Sequence, residues 1–226
     1  ALTSEDEGGA GVASLEVTYD DLDLASLTDF PEFDTLPLAG RATGWNKMSW
    51  PRDSFVDREG AGRIEVSPPD LITLQERRSP RGTIVNTSTV RNVLEGRLAL
   101  GGVIDYSLGS GVIDVASGSQ LATPHTFLSF EGQTAYGSDS RLPFHMTSSN
   151  LQESHRVLAG LMTVFERPTQ VVEIGGSGTF DGELTGELID PSVKGRFEAE
   201  PRAWDVMWGA WEGEATIENG YATVPE

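Results

Sequence analysis

Residues 178–188 alternate without an error between two kinds of side chain. Their even positions hold only Gly, Phe or Leu, and their odd positions hold only Thr, Asp or Glu. Because a β-strand points successive side chains to opposite faces, this period of two indicates a strand with one apolar and one hydrated face. Phe180, Leu184 and Leu188 share the apolar face, and Asp181 lies on the hydrated one.

A turn and a second alternating run follow this strand. Asp190 and Pro191 favour the turn, since proline presets its own φ and aspartate bonds to its own backbone. Beyond them Val193 and Phe197 alternate with charged residues. The sequence therefore predicts an antiparallel hairpin.

Glycine is concentrated on the apolar side of this hairpin, at Gly178, Gly182, Gly186 and Gly195. Glycine weakens a strand unless the strand bends there or another group approaches its backbone closely. A bent strand in an ordinary β-sandwich and the wall of a ligand-lined groove both meet this condition. The pattern favours neither.

The same alternation recurs at residues 38–50, 98–108, 128–136 and 142–147. Successive strands that obey one rule are typical of a β-meander, a sheet that grows strand by strand. The predicted fold class is therefore mainly β. We expect an antiparallel, curved β-groove of repeated hairpins, of the β-taco or solenoid-like kind.

Residues 149–165 break the alternation. Their large apolar residues fall on one face of a helix, Ser149 with Gln152 fits a capping box, and Glu153 falls on the solvent side. We expect this one amphipathic helix to cover an apolar surface at an edge or opening of the sheet.

The rest of the chain sets the domain organisation. Residues 1–12 are acidic and glycine-rich, which predicts a linker, and residues 75–92 lose the alternation, which predicts a long loop. We therefore expect a single β-groove segment over residues 13–226. Since the chain starts at Ala1 and ends directly after a strand-like run, we expect an internal piece of a longer protein.

The chain is strongly acidic, with 16 Lys and Arg against 35 Asp and Glu and a net charge of −19. Such a charge repels phosphates, so nucleic acid is not an expected partner. Cysteine is absent, and His125, His145 and His155 lack metal-ligand spacing. No nucleophile elbow or phosphate-binding loop occurs either. We expect neither an enzyme nor a cofactor.

Trp204, Trp208 and Trp211 crowd into eight residues near the end of the chain. Tryptophan rings in such a group suit either a hydrophobic core or a platform on which sugar or lipid stacks. Core aromatics are the commoner case, so we predict core positions for these three residues.

Several short motifs resemble the repeated strands of one family. They are Gly178-Thr-Phe-Asp-Gly-x-Leu-x-Gly, Pro191-x-Val-x-Gly-Arg-Phe and Arg202-Ala-Trp-Asp-Val-x-Trp-Gly, with Leu38-Ala-Gly-Arg-Ala-x-Gly and Leu142-Pro-Phe-His-Met-Thr-Ser as further matches. In order and spacing they resemble the TamB-like translocation and assembly module proteins, which are relatives of the AsmA family. The resemblance covers roughly residues 13–226.

This resemblance implies a periplasmic segment of a long parent protein that is anchored in the inner membrane. In that family the strands curl into an open groove, which is thought to conduct phospholipid acyl chains toward the outer membrane and to support outer-membrane protein assembly. Contact with the outer-membrane assembly machinery belongs to parts of the family that this segment does not include.

The expected lipid-binding residues are the large apolar residues of successive strands, which pairing would align into one stripe. They are Leu98, Leu100, Ile104, Tyr106, Leu128, Phe130, Phe144, Phe180, Leu184, Leu188 and Phe197. The alternative is a non-catalytic β-sandwich or solenoid module that binds carbohydrate or protein. In that case the same residues would form a closed core.

Overall fold

A computed structural model describes residues 2–5, 11–28, 38–69, 97–135, 140–164, 173–187, 190–204, 206–218 and 221–224. It confirms the predicted fold class: an antiparallel, curved sheet of successive hairpins with one long amphipathic helix in the described part of the chain. The predicted loop over residues 75–92 and the expected helix end at residue 165 lie outside the described residues.

The elements follow one another along the chain in short connections. They are β1 (Leu2–Glu5), β2 (Val12–Asp23), α1 (Leu24–Thr28), β3 (Leu38–Ala39), β4 (Arg41–Pro51), β5 (Glu59–Ser67), β6 (Leu98–Ala99), β7 (Gly101–Gly109), β8 (Val112–Ala122), β9 (Thr126–Ala135), β10 (Ser140–Ser148), α2 (Leu151–Val164), β11 (Gly175–Glu187), β12 (Asp190–Ala203), β13 (Val206–Met207), β14 (Trp211–Glu218) and β15 (Tyr221–Thr223).

Thirteen of the described strands form one sheet in the order β1-β2-β4-β5-β7-β8-β9-β10-β11-β12-β14-β15, with β13 paired to the end of β12. Every ladder in it is antiparallel. Since strands that are consecutive along the chain are mostly neighbours in space, the sheet is a meander, as the repeated alternation predicts.

Strands β3 and β6 leave this sheet and pair with each other in parallel. They directly precede β4 and β7, which flank β5 in the main sheet. The two sides of β5 therefore meet just past its end at Ser67. The Leu100 amide donates to the Ala39 carbonyl over 2.9 Å, and Ala99 is completely buried there. This junction draws neighbouring strands together and helps to curve the sheet.

Bulges add to the curvature. Register shifts occur between Tyr19 and Leu22 in the β2–β4 ladder, and between Val115 and Ser119 in the β8–β9 ladder. Extra residues in one strand of an antiparallel pair bend that strand and increase its twist. Gly118, at the second bulge, has a φ of +88°, which glycine adopts without strain.

The glycines of the apolar side lie beneath aromatic rings. The Tyr19 ring lies over Gly44, and the stacked rings of Phe144 and Phe180, with centroids 5.6 Å apart, lie over Gly182. A ring can lie flat on a sheet only where the position beneath it has no side chain, and it then replaces the packing that glycine lacks. This is the close approach that the glycine pattern required.

Helix α2 begins one residue later than the predicted capping box. The amides of Gln152 and Glu153 donate to the Asn150 side-chain oxygen over 3.2 and 3.4 Å, so Asn150 is the N-cap. The Ser149 hydroxyl instead lies 3.1 Å from Nδ1 of His125, in the turn between β8 and β9. The Ser149 capping interaction is therefore wrong.

The solvent position expected for Glu153 is also wrong. Its Oε1 accepts hydrogen bonds from the Thr123 hydroxyl over 2.6 Å and from the His125 amide over 2.9 Å. The Ser154 hydroxyl bonds to the Thr126 and Ser148 hydroxyls over 2.7 and 2.6 Å. Polar contacts thus hold the first turn of α2 against the sheet, and an apolar face alone does not account for its docking.

The structure also differs from the linker expected over residues 1–12. Leu2–Glu5 form a strand that pairs with β2, in a register that places Leu2 opposite Leu15. The alternation of a four-residue strand is too short to be recognised within an acidic, glycine-rich stretch.

Gly195 tests the role of close approach. A Cβ there would meet the Asp181 carbonyl oxygen, and it would lie 2.6 Å from the Gly182 Cα. Backbone atoms cannot move aside as a side-chain tip can, so Gly195→Ala should lower the free energy of unfolding by about 1–3 kcal/mol in urea denaturation.

Gly109→Ala is the matched control, because nothing lies within 4 Å of a Cβ at that strand position. This variant should change the unfolding free energy by no more than about 0.5 kcal/mol. Equal losses in the two variants would show that the space around Gly195 does not matter.

Candidate binding surface

One face of the sheet is apolar from strand to strand. In β9, β10, β11 and β12 the register places Leu128 beside Met146, Met146 beside Phe180, and Phe180 beside Phe197. Residues paired directly across a ladder point to the same side of the sheet. These four side chains therefore form a row that crosses four strands, and we call the side that carries it the apolar face.

The apolar face continues through the first half of the sheet. Leu121 of β8 pairs with Leu128 of β9 and with Gly102 of β7. Ile104, two residues further along β7, pairs with Ile64 of β5. The face thus extends from β9 to β5 without a change of side.

Eight of the predicted lining residues lie on this face by register. They are Ile104, Tyr106, Leu128, Phe130, Phe144, Phe180, Leu184 and Phe197. Leu98 lies instead in the small parallel sheet, and Leu100 follows it in the connection to β7. Leu188 lies outside the described residues. The structure therefore brings eight of the eleven together and separates Leu98 and Leu100 from the main stripe.

The lining prediction omitted other large residues of the same face. Leu15, Met48 and Ile64 follow one register in the first strands, and Leu142 and Val193 pair with Leu184 from either side. Their alternation is visible in the sequence. What the sequence does not show is which alternating segments pair, and in what register.

The large side chains of the apolar face are only partly buried. Among the residues whose side chains the structure describes, the buried hydrophobic ones are alanines and Val66. No described Leu, Ile, Phe, Met, Tyr or Trp belongs to that buried set. In a β-sandwich the inner side chains of two sheets interdigitate and are removed from water. The observed exposure is instead that of an uncovered face.

A polar group interrupts the apolar face in the first half of the sheet. The Tyr106 hydroxyl donates to Oδ1 of Asn46 over 2.5 Å, and the Asn46 amide nitrogen lies 3.4 Å from the Tyr19 hydroxyl. Burial raises the pKa of the Tyr106 phenol, and the neighbouring Tyr19 raises it further. Tyr106 therefore offers its ring to the apolar face and directs its hydroxyl to a protein partner.

The opposite side of the sheet carries charge. Asp181 lies 2.6 Å from Nδ1 of His145, and Glu183 lies 2.9 Å from Nε of Arg141. The Asp181 side chain is 71% exposed. The sequence pattern assigned both carboxylates to the hydrated face, and the structure places them there.

The predicted core positions of the three tryptophans near the end of the chain are wrong. Trp204 is 86% exposed, Trp208 49% and Trp211 51%. A two-residue alternation indicates which residues share a face, but it does not indicate whether anything covers that face.

Two further searches of the described residues are negative. They contain no helix that is long and apolar enough to cross a membrane. They also contain no group of three or more His, Cys, Asp or Glu side chains arranged to hold a metal ion.

The Tyr106 phenol predicts a pH dependence. Its pKa is raised in the folded chain above the unfolded value of about 10, so the folded state favours the neutral phenol. Stability from this group is complete below pH about 10 and is lost as the pH rises through the raised pKa. Tyr106→Phe should lose about 1 kcal/mol at neutral pH, through the hydrogen bond to Asn46.

The check is urea denaturation of both proteins at several pH values between 8 and 11. The wild type should lose more stability than Tyr106→Phe across the alkaline range. Parallel losses in the two proteins would contradict the proposed burial of the phenol.

Comparison with known proteins gives no assignment, since no protein-family model, no curated protein and no solved structure matches this chain.

Proposed function

We propose that this chain is a segment of a TamB-like protein of the periplasm, whose apolar face shields and conducts phospholipid acyl chains between the inner and outer membranes. Through this transport it would support outer-membrane biogenesis and protein assembly. The parent protein would be anchored in the inner membrane. Contact with the outer-membrane assembly machinery would be made by parts of the parent outside this segment.

The observation that carries the proposal is an apolar face that is continuous yet uncovered. The row from Leu128 through Met146 and Phe180 to Phe197 crosses successive strands, and none of these side chains is buried. A folded protein that leaves such a surface in water bears a cost that an apolar ligand would remove. Each CH₂ group buried against it contributes about 0.8 kcal/mol, without any specific polar contact.

The dimensions of the sheet suit a chain-shaped ligand. Twelve successive strands at a spacing of ~4.8 Å extend for roughly 50 Å along the curved path of the sheet. The hydrocarbon core of a whole bilayer is only ~30 Å thick. An acyl chain lying across the strands would therefore meet apolar side chains along its full length.

Charge and shape also favour this function over the alternatives. The hydrated face, with Asp181 and Glu183, keeps the outer side in water. A carbohydrate- or protein-binding sandwich would bury the large residues in a closed core, and they are partly exposed instead. The net charge of −19 disfavours nucleic acid.

Photocrosslinking tests the proposal directly. A photoreactive amino acid would replace Phe180 or Leu184 on the apolar face, with Asp181 and Glu183 as matched controls on the adjacent positions of the same strand. The chain would be mixed with a labelled short-chain phosphatidylcholine below its micelle concentration. We expect at least about ten-fold more captured lipid from the two apolar positions, since burial of a few CH₂ groups gives such a ratio.

A charge placed on the apolar face should abolish this capture. Leu184→Asp should reduce capture from Phe180 by about ten-fold, whereas Thr185→Asp, one position away on the hydrated face, should leave it unchanged. Circular dichroism would verify that both variants keep the sheet. Equal capture from the two faces, or none from either, would refute the proposed function.

A further inference from the structure

Five large apolar side chains project into solvent within eight residues of one another. Trp204, Val206, Met207, Trp208 and Trp211 are between 49% and 86% exposed. We call them the tryptophan patch. Scattered single hydrophobic residues are normal on protein surfaces, but a contiguous group of this size is typical of an interaction site.

The patch is held in an ordered conformation. The ring centroids of Trp204 and Trp208 are 6.3 Å apart, and those of Trp208 and Trp211 are 6.4 Å apart. The Trp208 amide donates to the Pro201 carbonyl, and the Trp211 indole N–H donates to the Trp208 carbonyl over 3.2 Å. Trp204 has a φ of +50°, which non-glycine residues rarely adopt. The backbone thus accepts an unfavourable conformation that presents the rings outward.

The geometry disfavours a flat stacking platform and a deep pocket. The ring planes meet at 61° and 87°, so the three rings do not form one plane for a sugar. Nothing lies within 4 Å of a Cβ at Gly209, in the middle of the patch. The patch is therefore a protrusion, whereas the energetically dominant contacts of protein interfaces fill well-packed pockets.

Residue type and charge indicate the partner. Tryptophan is enriched at membrane–water interfaces, where its ring enters the apolar boundary. The neighbouring exposed side chains Glu200 and Glu212 are acidic, with Arg202 between them along β12. Together with the net charge of −19 they disfavour an anionic bilayer surface. The fitting partner is a membrane surface of neutral, zwitterionic phospholipid.

The patch also adjoins the apolar face. Trp211 pairs with Ala199 in the β12–β14 ladder, two positions from the pairing of Phe197 with Gly213. Trp211 therefore belongs to the same side of the sheet as Phe197, at the end of the strands. A membrane that contacts the patch would lie next to the end of that face.

We propose that the tryptophan patch docks this end of the sheet onto zwitterionic phospholipid membranes. Its significance as a point of lipid entry or exit rests on the function proposed above, but the docking itself does not. The contacts would be made by Trp204, Trp208 and Trp211, with Val206 and Met207 beside them.

Vesicle binding tests the docking. The chain would be sedimented with phosphatidylcholine vesicles, with the triple variant W204S/W208S/W211S in parallel. Trp45→Ser is the matched control, because Trp45 is 42% exposed on the hydrated face, away from the patch. The triple variant should bind at least about ten-fold more weakly, and the control should bind as the wild type does. Addition of phosphatidylglycerol should weaken wild-type binding.

Brominated phosphatidylcholine provides a second readout that does not depend on the triple variant. It should quench tryptophan fluorescence by the same amount in the wild type and in Trp45→Ser, once the Trp45 emission is subtracted. Equal vesicle binding by wild type and triple variant would overturn the proposal. So would a concentration-dependent dimer that the triple variant abolishes in sedimentation velocity, since the patch would then be a self-association surface.

The outcomes separate docking from lipid shielding. Crosslinking from Phe180 to a soluble short-chain phospholipid needs no membrane, so it should persist in the triple variant. Loss of vesicle binding with retained capture supports docking by the patch. Vesicle binding that depends on the patch, with no capture from Phe180, would leave the docking intact and refute the lipid-shielding function.

Discussion

The phase of the ladders is the constraint on which this structure depends. A slip of one residue in any ladder would move an entire strand's apolar residues to the hydrated side. The irregular positions preserve the phase. The β8–β9 bulge advances four residues from Val115 to Ser119 against two in its partner, so the same parity continues. In β2 the bulge advances three residues against two, and the apolar positions change parity there, from Tyr19 to Leu22.

Flat-lying aromatic rings explain how a sheet with so few buried large residues stays ordered. Phe144 and Phe180 pack on each other and on the bare backbone at Gly182, within the same sheet. Packing of this kind needs no second layer, which is why the large side chains remain half-exposed. It also leaves a broad apolar surface in water, and an apolar ligand would stabilise the fold as well as bind to it.

Helix α2 and the tryptophan patch mark where pattern reasoning failed. The helix was evident from its period, but its attachment depends on Glu153 reaching Thr123 and His125, about thirty residues away in sequence. No local signal encodes a contact over that distance. The three tryptophans were misjudged for a related reason. The residues that would have covered them are defined by three-dimensional neighbours, and frequency alone favoured a core.

The sequence by itself determined the strands, the two faces and the meander order, because the period of side chains along a strand is a local property of the backbone. It also determined which side Phe180, Leu184 and Phe197 share. Only the tertiary structure decided that Leu98 and Leu100 pair in a separate sheet, that Tyr106 bonds to Asn46, and that the apolar face is uncovered. These features depend on which distant segments meet, and the alternation is the same for every partner that preserves the phase.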